Sequence, residues 1–499
     1  MDLFSNLALG LSTSLSLHNL LYCFIGSLFG TLIGVLPGLG PVATIAMLLP
    51  ITFGLEPVSA LIMLAGIYYG AQYGGSTTAI LINLPGESTS VVTAIDGYQM
   101  ARKGRAGAAL ATAALGSFFA GTVTTVFIAL FAPPLANLAL QFGPPEYFAL
   151  MVLGLIASIT LASGSLLKAL AMIILGLLLG LVGRDVYTTE ARFTFGLENL
   201  SDGLQFVALA MGIYGIGEIV RNLEGTEQRT VGVADVGSLM LTREDFRRII
   251  APVLRGTGLG AVLGILPGGG ALLSSFASYA VEKKLARNPK EFGQGAIEGV
   301  AGPESANNAG AQSSFIPMLT LGIPSNPVMA LMVGALIVHG ITPGPAFVNE
   351  KPELFWGLVA SMWVGNLMLV ILNLPLIGVW VRLLTVPYNY LFPAIVIFSA
   401  IGVFSVSNSG ADVLIMAAMG VFGYLLYKLN CEPAPLLLGF VLGPMLEENL
   451  RRSMLLFRGD ATQFLTRPLT ASLLAIAAIA VVLVLLPGIS RKREVVFKE

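Results

Sequence analysis

The chain has 499 residues, of which 55% are hydrophobic and only 11% are charged, and its mean hydropathy is +0.84. Soluble domains carry roughly 25% charged residues, so this composition excludes an ordinary soluble protein and predicts an all-α, multi-pass membrane protein. With a net charge of −1 and no basic face, the chain is not expected to bind nucleic acid. Its two cysteines have neither disulfide nor metal-ligand spacing, and we expect no cofactor.

The first predicted elements are an amino-terminal segment, residues 1–19, and a hairpin that opens a first repeat, residues 20–220. The segment lacks the basic region of a cleavable signal peptide, so we expect it to be retained. The hairpin, Leu21–Pro50, has its tip at residues 37–41, which read Pro-Gly-Leu-Gly-Pro. Its arms of about 16 and 10 residues are shorter than the ~20 residues of a full span, which predicts a re-entrant hairpin.

A broken helix is predicted next, at residues 57–95. Because glycine and proline interrupt helices, we expect breaks at Gly74 and near Pro85. The first basic residues of the chain follow in the run Arg102-Lys103-Gly104-Arg105. Positive charge is concentrated in cytoplasmic loops, which places this run inside.

The motifs of the first half return in a second repeat, residues 244–446, after a polar linker at residues 221–243. The Gly-x3-Gly-x2-Pro-Gly-x-Gly pattern of residues 30–40 recurs about 230 residues later. The second hairpin is Val253–Tyr279, with its tip at residues 267–270, and a second broken helix is predicted at residues 306–340. Residues 447–499 form a single further span with a basic tail.

The charge pattern predicts opposite orientations for the two repeats. Basic residues flank the second hairpin on both sides, whereas none flanks the first, so the hairpins should open to opposite sides of the membrane. The helix after the first hairpin then runs inward to Arg102, and its counterpart runs outward to the acidic loop at residues 350–353. Inverted-topology repeats with broken helices are typical of secondary transporters, whose binding sites lie where those helices meet.

Interrupted helices indicate binding because their unpaired backbone groups cannot face lipid and must line protein or a water-filled site. Free N–H groups at helix amino ends attract carboxylates, and carbonyl, hydroxyl and amide oxygens suit Na⁺. The predicted substrate-binding residues are Pro37, Gly38, Gly40, Ser76, Thr77, Thr78, Gly86, Ser88, Thr89, Gly268, Gly269, Gly270, Ser313, Ser314, Pro324, Ser325 and Asn326. The predicted ion-binding residues are Gly38, Gly75, Asn83, Glu87, Gly268, Asn308, Gln312, Thr320 and Gly322.

Some of these residues also have a plainer interpretation. The hydroxyls of Ser76–Thr78 could bond to carbonyls one turn back in their own helix. Glu87 could bind a cation or a proton, or it could cap the helix that follows. Asp96 is interpreted as a boundary residue, and three glycines are interpreted as helix-packing positions, namely Gly107, Gly116 and Gly121.

The chain resembles the large membrane subunit of the tripartite tricarboxylate transporters over about residues 20–487. The motifs that carry the resemblance are the PGLGP tip, the GAQYGGSTTAILINLPGE run and the LPGGG…GAQ…GIPSNP set. The resemblance implies import of citrate-like or other carboxylates across the bacterial inner membrane, driven by an ion gradient, typically Na⁺. It implies two partners, a small four-span membrane subunit and a periplasmic substrate-binding protein, and it suits an elevator-type movement.

Two other classes of function are open at this point. An intramembrane enzyme has little support, because the chain has two histidines and no metalloprotease, serine-elbow or paired-aspartate motif. A channel or a non-transporting scaffold subunit fits less well, since channels usually assemble their filters symmetrically from several chains.

Overall fold

The computed structural model describes residues 3–36, 40–84, 87–161, 165–185, 187–224, 236–266, 270–384 and 388–485. The structure is about 80% helical, which confirms the prediction of an all-α multi-pass membrane protein. In the first half the helices are α1 Leu3–Ser14, α2 Leu17–Val35, α3 Pro41–Thr52, α4 Pro57–Ile82, α5 Val91–Arg102, α6 Ala106–Ala139, α7 Pro144–Leu161, α8 Leu166–Gly180, α9 Phe206–Ala210 and α10 Gly217–Glu224. A short antiparallel hairpin, β1 Gly183–Arg184 and β2 Ala191–Arg192, follows α8.

The second half continues as α11 Arg243–Leu263, α12 Gly270–Leu285, α13 Glu298–Ser313, α14 Phe315–Leu321, α15 Pro327–Val338, α16 Pro345–Glu350, α17 Pro352–Asn373, α18 Ile377–Leu383, α19 Tyr388–Ser407, α20 Gly410–Lys428, α21 Ala434–Leu456, α22 Gln463–Thr466 and α23 Pro468–Leu485. Among the described helices, four are long and apolar enough to cross a membrane, namely α2, α6, α17 and α20.

The first arms of both hairpins are longer than predicted, because each helix begins at a capping residue that the prediction overlooked. Ser16 caps α2 by accepting the Asn19 N–H, so α2 has 19 residues, enough by length and composition for a span. Thr242 and Asp245 form a capping box at the start of α11, which therefore has 21 residues. The first two turns of α11 are strongly charged, so its apolar part stays short.

The predicted break at Gly74 is wrong. Helix α4 continues from Pro57 to Ile82 and ends at Asn83, which has φ 57°. The chain then enters a 3₁₀ turn at Ser88–Ser90 that leads into α5. In the second half, α13 and α14 meet at Ser314, and the break follows at Gly322, whose φ of 72° favours glycine. The first interruption therefore lies near Pro85, where a break was also expected, and the second lies within the predicted range 306–340.

Helix α4 stays intact because its glycines serve close packing on α2. A Cβ atom placed on Gly70 would lie 2.6 Å from the Ser27 carbonyl oxygen. A Cβ on Gly34 of α2 would lie 2.5 Å from the Ala71 carbonyl oxygen. Only glycine lets two helix backbones approach so closely.

The same packing recurs between α11 and α13. Added Cβ atoms on Gly256 and Gly260 would collide with the backbone carbonyls of Gly302 and Ala306, respectively. The motif glycines shared by the two halves, at residues 30–34 and 260–264, therefore hold the first arm of each hairpin against the helix that follows it.

Three basic segments meet at one face of the molecule. Lys103 donates to the Gln294 carbonyl, and Arg105 pairs with Asp245 at 2.5 Å. Arg248 pairs with two acids beyond α12, Glu291 at 2.9 Å and Glu298 at 2.7 Å. The start of α11 and the segment after α12 therefore lie at the same face of the molecule as the Arg102 run.

Candidate functional site

Nine polar side chains form a buried cluster where the first broken helix meets α13. We call them the buried polar cluster. None is more than 8% exposed. The members are Gln72 and Ser76 of α4, Glu87 and Thr89 beside the 3₁₀ turn, Thr93 of α5, Ser117 of α6, and Glu304, Asn307 and Asn308 of α13. The cluster therefore joins elements from both halves of the chain.

Glu304 links α13 to the broken helix of the first half. The Ser76 hydroxyl donates to this carboxylate and lies 2.8 Å from both of its oxygens, and the Thr93 hydroxyl also donates to it. One turn further along α13, the Asn308 amide donates to the Ser117 hydroxyl at 2.6 Å. Glu304 therefore accepts hydrogen bonds from hydroxyls of two helices, α4 and α5.

Glu87 occupies the other end of the cluster. Its carboxylate accepts the Thr89 hydroxyl at 2.6 Å and the Asn307 amide at 3.2 Å. The Gln72 amide also donates to the Glu87 carboxylate when the amide nitrogen of Gln72 faces that carboxylate. Glu87 and Ser90 form a capping box at the 3₁₀ turn, so the capping interpretation of Glu87 is correct, and the same carboxylate faces the cluster.

The two carboxylates are close neighbours without a basic partner. Gln72 and Ser76 are one turn apart on α4, and each contacts one of the two acids. Within the described residues, neither acid pairs with a Lys, Arg or His. Four other buried carboxylates do have arginine partners, namely Glu146, Asp185, Asp245 and Glu282.

A small cavity lies beside Glu304 at the junction of α4, α6, α13 and α17. Its polar lining consists of Tyr73, Ser76, Thr77, Ser117, Glu304 and Asn373. The cavity is therefore bounded on most of its polar side by oxygen atoms.

Asp96 positions α13 for these contacts. It is fully buried, and its Oδ1 accepts the backbone N–H groups of Gly293, Gly295 and Ala296 at 2.7–2.9 Å. Its Oδ2 accepts the Tyr279 hydroxyl at 2.9 Å. Asp96 thus fastens the segment before α13 to α5, a role that its interpretation as a boundary residue did not include.

Comparison with known proteins identifies the chain. Residues 20–438 match the family described as the tripartite tricarboxylate transporter TctA family. The chain belongs to this family. The predicted identity as a large transporter subunit is thereby confirmed, and so is the expectation that it is not an enzyme, because the TctA family is a family of transporters.

Two relatives of this TctA-family chain come from Agrobacterium vitis. One, described as an uncharacterized 52.8 kDa protein in the TAR-I ttuC′ 3′ region, is 66% identical over 499 residues, covering 100% of this chain and 99% of the relative. The other, described as an uncharacterized protein in the TAR-II ttuC′ 3′ region, is 65% identical over 240 residues, covering 48% of this chain and 99% of the relative. No solved structure matches the chain.

In this TctA subunit, the predicted residues of the first half have different surroundings. Ser76, Glu87 and Thr89 belong to the buried polar cluster. The hydroxyls of Ser76, Thr77 and Thr78 all lie 3.1 Å from the carbonyl oxygen one turn back, and Thr78 also donates to the Val35 carbonyl. The plainer interpretation therefore fits all three hydroxyls, and Ser76 alone of them also contacts Glu304. The other predicted positions lie at helix ends or inside α4, namely Gly40, Gly75 and Asn83.

In the second half, Asn308 is the predicted residue that joins the cluster. Asn326 caps α15 by accepting the Met329 N–H at 2.9 Å, and Gln312 accepts the Thr125 hydroxyl at 3.0 Å. Gly270 begins α12, whereas Gly322 and Pro324 lie in the second break. The remaining hydroxyls donate to backbone carbonyls, namely those of Ser313, Ser314, Thr320 and Ser325.

Several predicted positions at the hairpin tips and the first break lie outside the described residues, namely Pro37, Gly38, Gly86, Gly268 and Gly269. Ser88 is described only as part of the 3₁₀ turn.

Five members of the cluster were absent from the prediction, and Glu304 is the most important of them. It lies in the run AGPESANNAGAQ, where an acid stands among small, weakly polar residues of a membrane protein. Such an acid is costly to bury and is usually functional, so this signal was available. The other four have no comparable signal, because their role depends on packing against α13; they are Gln72, Thr93, Ser117 and Asn307.

Proposed function

We propose that this subunit imports tricarboxylates or related carboxylates across the bacterial inner membrane by coupling their movement to a cation gradient, with Na⁺ as the coupling ion. Membership of the TctA family supports transport. The observation that supports cation coupling is the pair of buried carboxylates, Glu87 and Glu304, without a basic partner in the described part of the chain. Ionisable groups within membrane proteins are expensive and mark ion or proton pathways.

The position of this acid pair suggests how coupling arises. Glu87 lies just after the first helix break, and Glu304 lies on the helix that precedes the second break. A cation bound near the pair offsets their negative charge and holds α4, α5 and α13 together. We propose that this closure allows the loaded domain to move, in two inverted repeats that act as an elevator. The glycine packing shared by the two halves and the charge pattern support this arrangement.

The cluster also bears on how a carboxylate would be held. It contains no arginine or lysine, so an anion would depend on co-bound cations and on backbone N–H groups at the breaks. We propose that a periplasmic binding protein delivers the carboxylate and that a small four-span membrane subunit completes the transporter, as the tripartite family implies.

The test is uptake by proteoliposomes that contain this subunit and its small membrane partner, with the cognate binding protein added outside together with radiolabelled citrate or another candidate acid. The proposal predicts saturable accumulation against the substrate gradient when Na⁺ is higher outside. Replacing external Na⁺ with choline should abolish accumulation. Equilibration without accumulation would indicate a channel, and no uptake of any candidate acid would indicate a scaffold; either result would overturn the proposal.

A further inference from the structure

The cavity beside Glu304 contains two polar atoms that the hydrogen bonds of the protein leave unexplained. The Tyr73 hydroxyl and the Asn373 amide oxygen have no hydrogen-bond partner in the described part of the chain. Both side chains are only 4% exposed, and both line the cavity. Buried polar atoms almost always have a partner, because leaving one unpaired is costly. Their presence together, next to a carboxylate, indicates a ligand.

We propose that this cavity binds one monovalent cation, Na⁺, through the Glu304 carboxylate, the Tyr73 hydroxyl, the Asn373 amide oxygen and the hydroxyls of Ser76 and Ser117. The inference rests on the proposed cation coupling and assigns the site at which that cation binds. Hard cations prefer oxygen ligands of this kind. The single carboxylate of the cavity balances one positive charge, which favours a monovalent over a divalent ion.

The neighbouring hydrogen bonds suit this assignment. Ser76 donates its proton to Glu304, and Thr77 donates its proton to the Tyr73 carbonyl. A hydroxyl that donates its proton elsewhere keeps its oxygen lone pairs available for a cation. The Ser117 oxygen accepts the Asn308 amide and retains a second lone pair. The residues of the cavity can therefore bind a cation without losing a hydrogen bond.

The site would also connect cation binding to the arrangement of the helices. Its ligands come from α4, α6, α13 and α17, and the Asn373 amide nitrogen lies 3.5 Å from the Thr31 hydroxyl of α2. A bound cation would fasten the end of α17 to the first broken helix and to α13. Occupancy of one small cavity would thus stabilise contacts between the two halves.

The test measures the thermal unfolding midpoint of the purified full-length subunit while Na⁺ is titrated against choline or K⁺ at constant ionic strength. The wild-type midpoint should rise saturably with Na⁺ alone. Tyr73→Phe removes only a hydroxyl that has no partner among the described residues, so this variant should fold normally. It should raise the half-saturating Na⁺ concentration about tenfold, the effect of losing one contact to a charged group. Glu304→Gln should abolish the Na⁺ response.

Two matched controls separate cation binding from general effects on folding. Tyr69 is one turn earlier on α4; its buried hydroxyl likewise has no partner among the described residues, but it does not line the cavity. Glu146 is a buried acid that pairs with Arg467. Tyr69→Phe and Glu146→Gln should keep the wild-type Na⁺ response.

Equal midpoints in Na⁺, K⁺ and choline, or equal effects of Tyr73→Phe and Tyr69→Phe on the Na⁺ response, would overturn the assignment. Carboxylate uptake is measured separately. If the wild-type subunit takes up carboxylate but shows no Na⁺-specific stabilisation, the assignment of this site is wrong and the proposal of carboxylate transport is unaffected. If it shows Na⁺-specific stabilisation but takes up no carboxylate, the proposal of transport is contradicted.

Discussion

Alanine substitutions along α11 test the glycine packing that holds the two hairpins in place. A Cβ on Gly260 would collide with the Ala306 carbonyl oxygen and lie 2.6 Å from the Ala309 Cβ, whereas a Cβ on Gly258 has no atom within 4 Å. Alanine in place of an unconstrained helical glycine stabilises by roughly 0.5–1 kcal/mol. Overpacking a close helix contact costs about 1–3 kcal/mol. Because the propensity gain is common to both variants, Gly260→Ala should be less stable than Gly258→Ala by about 1–3 kcal/mol.

The assay is thermal unfolding of the purified protein in nanodiscs, followed by intrinsic fluorescence. Gly258→Ala should raise the unfolding midpoint and Gly260→Ala should lower it. Gly30→Ala, the equivalent change in the first half, should behave like Gly260→Ala because its Cβ would collide with the Ile67 carbonyl. If all three substitutions raised the midpoint, the close approach of α11 to α13 and of α2 to α4 would be refuted.

Three further predictions concern anchoring contacts. Asp96→Ala leaves three backbone N–H groups without their acceptor, so it should destabilise the protein by about 3 kcal/mol or more, measured as loss of folded yield and a lower unfolding midpoint. Asn326→Ala removes the cap of α15 and should cost about 1 kcal/mol, whereas Asn326→Asp should restore stability. The N–H groups of Thr188 and Tyr187, helped by Arg451, lower the pKa of Asp185 from 3.8 to about 2. Because the pKa of Asp185 is lower in the folded state, the ionised side chain stabilises the protein above about pH 3.8, and this contribution is lost as the pH falls toward 2. The difference in hydrogen exchange at β1 and β2 between wild type and Asp185→Asn should therefore shrink over that range.

The sequence predicted the class of protein, the family and the regions of the two breaks, because these follow from apolar runs, motif spacing and proline positions. It also predicted an additional break at Gly74 that α4 does not have, since a glycine that permits close helix packing and a glycine that interrupts a helix look the same in sequence. The neighbouring α2 backbone decides between the two roles, and that neighbour is known only from the fold.

The candidate site was predicted in part for a similar reason. Glu87 and Thr89 stand beside the first break and were found from that position, whereas Ser76 and Asn308 were found in polar runs that lie inside α4 and α13. Glu304 stands well before its own break and faces the broken helix of the other half, so its role depends on how α13 packs against α4 and α5. The local sequence does not predict that contact, although a lone acid in a Gly/Ala-rich helix of a membrane protein indicates a functional residue.

The most direct test of the account is the Na⁺ dependence of carboxylate uptake in Glu304→Gln beside wild type, with Glu146→Gln as the control for a buried acid elsewhere. The proposed mechanism predicts that Glu304→Gln reaches the membrane in normal amounts but no longer accumulates carboxylate in response to a Na⁺ gradient, while Glu146→Gln that reaches the membrane keeps the wild-type dependence on Na⁺. Accumulation by Glu304→Gln with the wild-type Na⁺ dependence would contradict it.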